Sequence, residues 1–236
     1  MATFLLIHGA WFGGWIWKRV TPRLRAAGHE VLTPTLTGLG ERAHLARPEV
    51  SLHTHVQDVL GVLTYEDVRG VVLVGWSYAG MVITAVAEQA VDRLAHLVYL
   101  DASVPEDGQA ALDLLDPATR AAREERVRTE GQGWQMLPPP VEQFGITAEA
   151  DARWVRPKLV AQPFKTYQEP VRLTNAAARA LPRTYIYCTV GPWTSIFAPF
   201  ARKAQVEGWR YRELATGHAA PVLEPQKMAD LLLELV

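Results

Sequence analysis

The stretch Val71-Val72-Leu73-Val74-Gly75-Trp76-Ser77-Tyr78-Ala79-Gly80 constrains this chain more than any other. An apolar run leads into a Gly-x-Ser-x-Ala-Gly turn, and a helix-forming segment, Met81 to Ala90, follows. Strand, sharp turn, serine at the apex and helix together make a nucleophile elbow. The apex residue is held in a strained backbone conformation, so its neighbours must be small. Gly75 and Ala79 lie two residues either side of Ser77, and Gly80 follows at once. Alanine stands at Ala79 where a second glycine is usual. The competing explanation for Ser77 is a buried serine at a tight strand-to-helix turn.

At 236 residues the chain is long enough for one domain with a large core. Net charge is -1, which gives no electrostatic case for binding nucleic acid or an anionic membrane. Cys188 is the one cysteine, so neither an internal disulfide framework nor a zinc cluster is available. No apolar run approaches the roughly 18 residues of a membrane span. The chain runs directly into Phe4-Leu5-Leu6-Ile7, with no leader pattern before it, and a cytoplasmic location is expected. Eight tryptophans suggest either large apolar surfaces around a pocket or simple core packing.

Thr3 to Ile7 is an unbroken apolar run, the mark of a strand buried on both faces in a parallel sheet. Trp15 to Ala27 has helical spacing and stops at Gly28, a good C-cap residue. Further strands are expected over 29–35, 70–74, 97–100, 183–188 and 209–214, with Thr37 to Pro48 as a loop. Ser51 or Thr54 can cap a helix through Val62, and Pro225 to Leu235 closes the chain as a helix. Alternating strands and helices at both ends imply an α/β fold: a mostly parallel sheet of about six strands with helices on both faces. Residues 1–102 and 181–236 would form this core. Residues 103–180 read as a helical insertion without a convincing strand. It would cover the sheet's C-terminal edge, where ligands bind in open α/β sheets, and act as a lid.

A serine needs a base within hydrogen-bond reach, and the base needs an orienting acid. Among seven histidines, only His218 lies after Ser77 on a late loop, beyond the last expected strand. The adjacent Gly217 would give that loop freedom to aim the ring. Two backbone N–H groups are needed for an oxyanion. Tyr78, directly after the serine at a helix N-terminus, offers one. Ala10, in the glycine-rich loop after the first strand, is chosen for the second.

These features resemble the α/β-hydrolase family. More narrowly they resemble the small branch that holds plant methylesterases, plant hydroxynitrile lyases and bacterial pyrethroid-hydrolysing carboxylesterases. The resemblance rests on His8-Gly9-Ala10-Trp11-Phe12-Gly13-Gly14-Trp15, the Ala27-Gly28-His29 step, the Gly75 to Gly80 elbow and Gly217-His218. It implies a serine hydrolase acting on a small-molecule ester, with no cofactor and no metal. It also implies a homodimer, although no residue pattern shows one.

Two departures stand out. Trp76 precedes the serine where relatives usually carry histidine or a smaller residue. The family's acid usually follows the next-to-last strand in a stretch resembling Cys-Thr-Glu-Asp, yet here the chain reads Cys188-Thr189-Val190-Gly191-Pro192-Trp193, and no carboxylate occurs from Tyr185 to Gln205. Asp101, at the end of the strand that follows the elbow helix, is the expected substitute. Neighbouring strands lie about 4.8 Å apart, and some haloalkane dehalogenases resemble this arrangement. Glu106 and Asp107 are second choices, and a turn-capping role is the alternative for Asp101. Trp11, Trp76, Trp134, Trp193 and Phe197 are the candidate substrate-binding residues, with core packing as the alternative for each.

The expected reaction is cleavage of a carboxylic ester through an acyl-enzyme. A lactonase, thioesterase or acyltransferase would need the same triad. Hydroxynitrile lyases of this type usually carry threonine and lysine where this chain has Gly9 and Ala219, which favours hydrolysis. A rival of another class is a non-catalytic small-molecule-binding protein on a hydrolase scaffold.

Overall fold

The computed structural model describes all residues, 1–236. In chain order its strands and α-helices are β1 (Thr3–Ile7), α1 (Thr21–Ala26), β2 (Glu30–Leu32), α2 (Leu52–Tyr65), β3 (Val71–Trp76), α3 (Ala79–Ala90), β4 (Leu94–Leu100), α4 (Pro117–Thr129), β5 (Gln135–Met136), α5 (Glu149–Val155), β6 (Gln162–Pro163), α6 (Lys165–Gln168), α7 (Ala176–Arg179), β7 (Arg183–Cys188), α8 (Thr194–Val206), β8 (Arg210–Leu214), α9 (Ala220–Leu223) and α10 (Pro225–Leu233). Six strands form one parallel sheet in the order β2-β1-β3-β4-β7-β8, flanked by helices. Every residue of β3 is buried, as expected of a central strand covered on both faces.

The register of the central strands positions the site. β3 runs parallel to β4 with Gly75 opposite Tyr99 and Trp76 opposite Leu100. Both strands therefore end level, and the next residues, Ser77 and Asp101, emerge side by side at the C-terminal edge. Backbone bonds continue past the strand ends: Ser77 N–H donates to Leu100 O, Asp101 N–H to Ile186 O and Ser103 N–H to Ser77 O. The approach is so close that a Cβ on Gly80 would lie 2.0 Å from Ser103 O. Glycine is thus required at Gly80, and Ala79 is tolerated at the more usual glycine position.

Three expectations are corrected. The single helix over Trp15 to Ala27 is a 3₁₀ turn (Gly14–Arg19) followed by α1. Pro22 has no N–H to continue the ladder and sits in the first turn of the new helix. The loop 37–48 contains a 3₁₀ turn, Gly40–Leu45. The insertion is not free of strands: β5 and β6 pair antiparallel, Gln135 with Pro163 and Met136 with Gln162. Two-residue strands are too short to leave an alternating pattern in the sequence. Elsewhere Asp116 caps α4 by accepting from Thr119 N–H at 3.0 Å, with Pro117 at the first helical position.

Candidate active site

Ser77 sits at the elbow with φ of 60°, in the left-handed region that a side chain disfavours. Asp101 is also left-handed, with φ of 41°, as is Trp11, with φ of 67°. Three such residues around one site are a concentration of backbone strain where the surrounding structure holds side chains in place.

A continuous hydrogen-bonded chain joins the elbow to Asp101. Nε2 of His218 is 2.9 Å from Ser77 Oγ, and Nδ1 is 2.6 Å from Asp101 Oδ2. With Asp101 as acceptor, Nδ1 carries the proton and Nε2 is free to accept from the serine hydroxyl. Asp101 and His218 are almost completely buried. Burial pushes the Asp101 carboxyl up, while the bond to His218 and the Cys188 N–H, donated to Oδ1 at 3.2 Å, pull it down. Cys188 belongs to the stretch that holds no carboxylate, and its backbone N–H is a second donor to Asp101.

The rest of that stretch packs on His218. The rings of Trp193 and Phe197 stack on His218 at centroid distances of 4.9 and 4.8 Å, each tilted 10°. Trp76 lies on it at 5.2 Å and 39°, and its Nε1–H donates to His218 O at 2.8 Å. Gly217 does not adopt a positive φ. Its lack of a side chain serves close approach instead, since a Cβ there would lie 2.8 Å from Gly145 Cα. Ala219 N–H donates to Phe144 O on the same segment. The expectation of a freely aimed loop is thereby corrected: the Phe144–Gly145 backbone packs directly against it.

The backbone N–H groups of Ala10 and Tyr78 face no acceptor in the protein. Ala10 follows β1, which pairs with β3 up to Ile7 opposite Gly75, and a Cβ on Gly9 would lie 2.9 Å from Ser77 Cβ. The loop thus passes directly over the serine.

A polar network that the sequence reading missed holds this edge. His8 Nδ1–H donates to Gly9 O at 2.8 Å, and Nε2 accepts from Leu36 N–H at 3.0 Å. His55 Nε2–H donates to Thr37 O at 2.9 Å, and Nδ1 accepts from the Tyr78 hydroxyl at 3.1 Å. Thr37 is held in turn by Asp58, which also pairs with Arg42. Burial lowers both histidines to about 4, so they are neutral scaffolding. No spacing in the sequence links residues 8, 37, 55 and 78; only the fold does.

Ser77 opens on a chamber of about 20 Å³ walled by Tyr78, Tyr167, Phe197 and Phe200. A larger cavity of about 310 Å³ lies beside it, walled by Trp11, Met136, Leu137 and Gln143 among others. Arg123, Trp193 and Ile196 line both spaces. Trp11 and Trp193 line the larger cavity, and Trp193 and Phe197 the chamber at Ser77. Trp76 and Trp134 are not lining residues. Trp76 is buried beneath His218, and Trp134 is a backbone partner of Phe164. Arg123 leaves no mark in the sequence, because nothing in a charged helix tells which arginines line a cavity. No cluster of His, Cys, Asp and Glu side chains with metal-binding geometry occurs.

This arrangement defines a class. The alpha/beta hydrolase family model matches residues 4–231, and the chain belongs to that family. Among its relatives, a carbendazim hydrolyzing esterase from Nocardioides sp. (strain SG-4G) is 39% identical over the full length of both chains. Salicylic acid-binding protein 2 of Nicotiana tabacum is 25% identical over 98% of this chain and 96% of its own. Among solved structures, an extracellular alpha/beta-hydrolase from a Paenibacillus species superposes with a TM-score of 0.86 at 26% identity, covering 99% of this chain and 98% of that one. A pyrethroid hydrolase from Sphingobium faniae JZ-2 shares the fold, with a TM-score of 0.76 at 21% identity over 99% and 96% of the two chains.

Proposed function

We propose that this carboxylesterase-type hydrolase uses Ser77 as nucleophile, His218 as general base and acid, and Asp101 as orienting acid. The observation that carries this is the hydrogen-bonded chain Ser77 Oγ, His218 Nε2, His218 Nδ1, Asp101 Oδ2, at 2.9 and 2.6 Å. Ser77 Oγ attacks the ester carbonyl as its proton passes to Nε2. The oxyanion that forms is held by the free N–H groups of Ala10 and Tyr78, the latter at the N-terminus of α3. Collapse expels the alcohol, which takes the proton from Nε2, and the acyl group stays on Ser77. Water then attacks the acyl-enzyme, giving its proton to Nε2; the bond from the acyl carbon to Ser77 Oγ breaks, Oγ takes that proton back, and the carboxylic acid leaves. Buried Asp101 stabilises the imidazolium at both steps. The stacked faces of Trp193 and Phe197 add cation–π attraction to the same charged ring.

The substrate class is a small or medium ester with a flat aromatic portion, supported by the aromatic walls Trp11 and Trp193 and by the relative that hydrolyses carbendazim. The insertion 103–180 supplies much of both cavity walls, which supports its role as a lid. A cytoplasmic location is part of the same proposal, since the buried thiol of Cys188 would stay reduced there.

The test is turnover of p-nitrophenyl acetate and butyrate by wild type and Ser77→Ala. Wild-type turnover that is lost in the variant supports the hydrolase. No wild-type turnover of any short ester or lactone would favour a binding protein on this scaffold.

A further inference from the structure

Helix α4 carries four arginines, and three of them have acidic partners. Arg120 pairs with Asp113 and Glu124, Arg126 with Glu130 and Arg128 with Glu125. Arg123 takes part in no ion pair; Arg126 also lines the larger cavity, but its charge is met by Glu130. The guanidinium carbon of Arg123 lies 5.8 Å from the Trp11 ring, 5.6 Å from Tyr167 and 5.9 Å from Trp193. Nη1 is 3.9 Å from Sδ of Met136, a weak acceptor. The aromatic faces hold the cation in place and the Tyr167 hydroxyl lies beside it, but no carboxylate meets its in-plane donors. The Arg123 side chain lines both the Ser77 chamber and the 310 Å³ cavity.

We propose that this larger cavity is the leaving-group site for an aryl ester that bears a carboxylate, with Arg123 as the specificity-determining residue. The proposal rests on the reading of Ser77 as nucleophile. The space at Ser77, about 20 Å³, is far smaller than the neighbouring cavity of about 310 Å³. The alcohol portion is placed across the shared wall, in the larger space. There Trp11 and Trp193 help wall a space that can take an aryl ring, and Arg123 offers paired N–H donors to a carboxylate. A neutral aryl ester would fill the space and leave the cation unmet. The competing role for Arg123 is mechanical: it would tie α4 to the three aromatic rings and discriminate nothing.

The experiment compares kcat/KM for 4-acetoxybenzoate and phenyl acetate, which share one acyl group. The enzymes are wild type, Arg123→Met and Arg123→Lys. The expected result is a fall of roughly 10-fold or more in the 4-acetoxybenzoate to phenyl acetate ratio for R123M, partly restored in R123K. An unchanged ratio, with both esters slowed alike, would show the mechanical role and overturn the proposal. A second measurement does not depend on turnover. Tryptophan fluorescence of Ser77→Ala is titrated with 4-hydroxybenzoate and with phenol, with and without R123M. Tighter binding of 4-hydroxybenzoate than phenol, lost with R123M, supports the site even if neither ester is hydrolysed. Equal binding of the two, or no effect of R123M, overturns it even if both esters are hydrolysed.

Discussion

The indole Nε1–H of Trp76 donates to the backbone carbonyl of His218 at 2.8 Å. The residue before Ser77 thus holds the loop that carries His218, from β3 beneath it. The bulk that departs from the usual family pattern has a positional use. Trp76→Phe keeps the ring packed on His218 but leaves a buried carbonyl unpaired. Stability should fall by about 1–3 kcal/mol in urea unfolding. kcat should fall more than KM rises, because an imidazole out of position affects the transition state more than substrate binding.

Asp101→Asn removes the charge and keeps the shape. The asparagine can present an N–H to Nδ1 and so favour the wrong imidazole tautomer, and kcat should fall by about 10⁴. A fall of a few-fold only would return Asp101 to the role of a turn residue. Thermal unfolding followed in parallel separates lost catalysis from lost fold.

Acid should destabilise the fold through His8 and His55. Both titrate near 4 in the folded chain, chiefly through burial, against 6.5 for an ordinary histidine. Between these values the unfolded chain binds more protons, so stability is complete above about pH 6.5 and falls as pH drops towards 4. Asp101, raised by burial, acts in the opposite direction and offsets part of the loss. Urea midpoints measured across this window should decline with falling pH. In His55→Gln the decline should be shallower.

The sheet, the elbow and the pair Ser77–His218 were legible because each leaves a local mark: an apolar run, a small-residue turn, or a histidine beyond the last strand. Elimination pointed to Asp101, since the stretch after β7 holds no carboxylate, and its hydrogen bond to His218 is what the fold adds. β5 and β6 are too short to leave a period. The roles of Trp76, Gly217 and His55 depend on partners at His218, Gly145 and Tyr78, 142, 72 and 23 positions away. Contacts at such separations are set by the folded topology, and the sequence alone shows only that the residues are present.

Labelling with a fluorophosphonate, followed by peptide mass spectrometry, tests the central claim most directly. The reagent marks a serine only where a neighbouring base activates it. The expected result is one adduct on the Ser77 peptide in wild type, and none in Ser77→Ala or His218→Ala of unchanged fold. A wild-type protein that stays unlabelled, or is labelled at another residue, would contradict the assignment of Ser77 and His218.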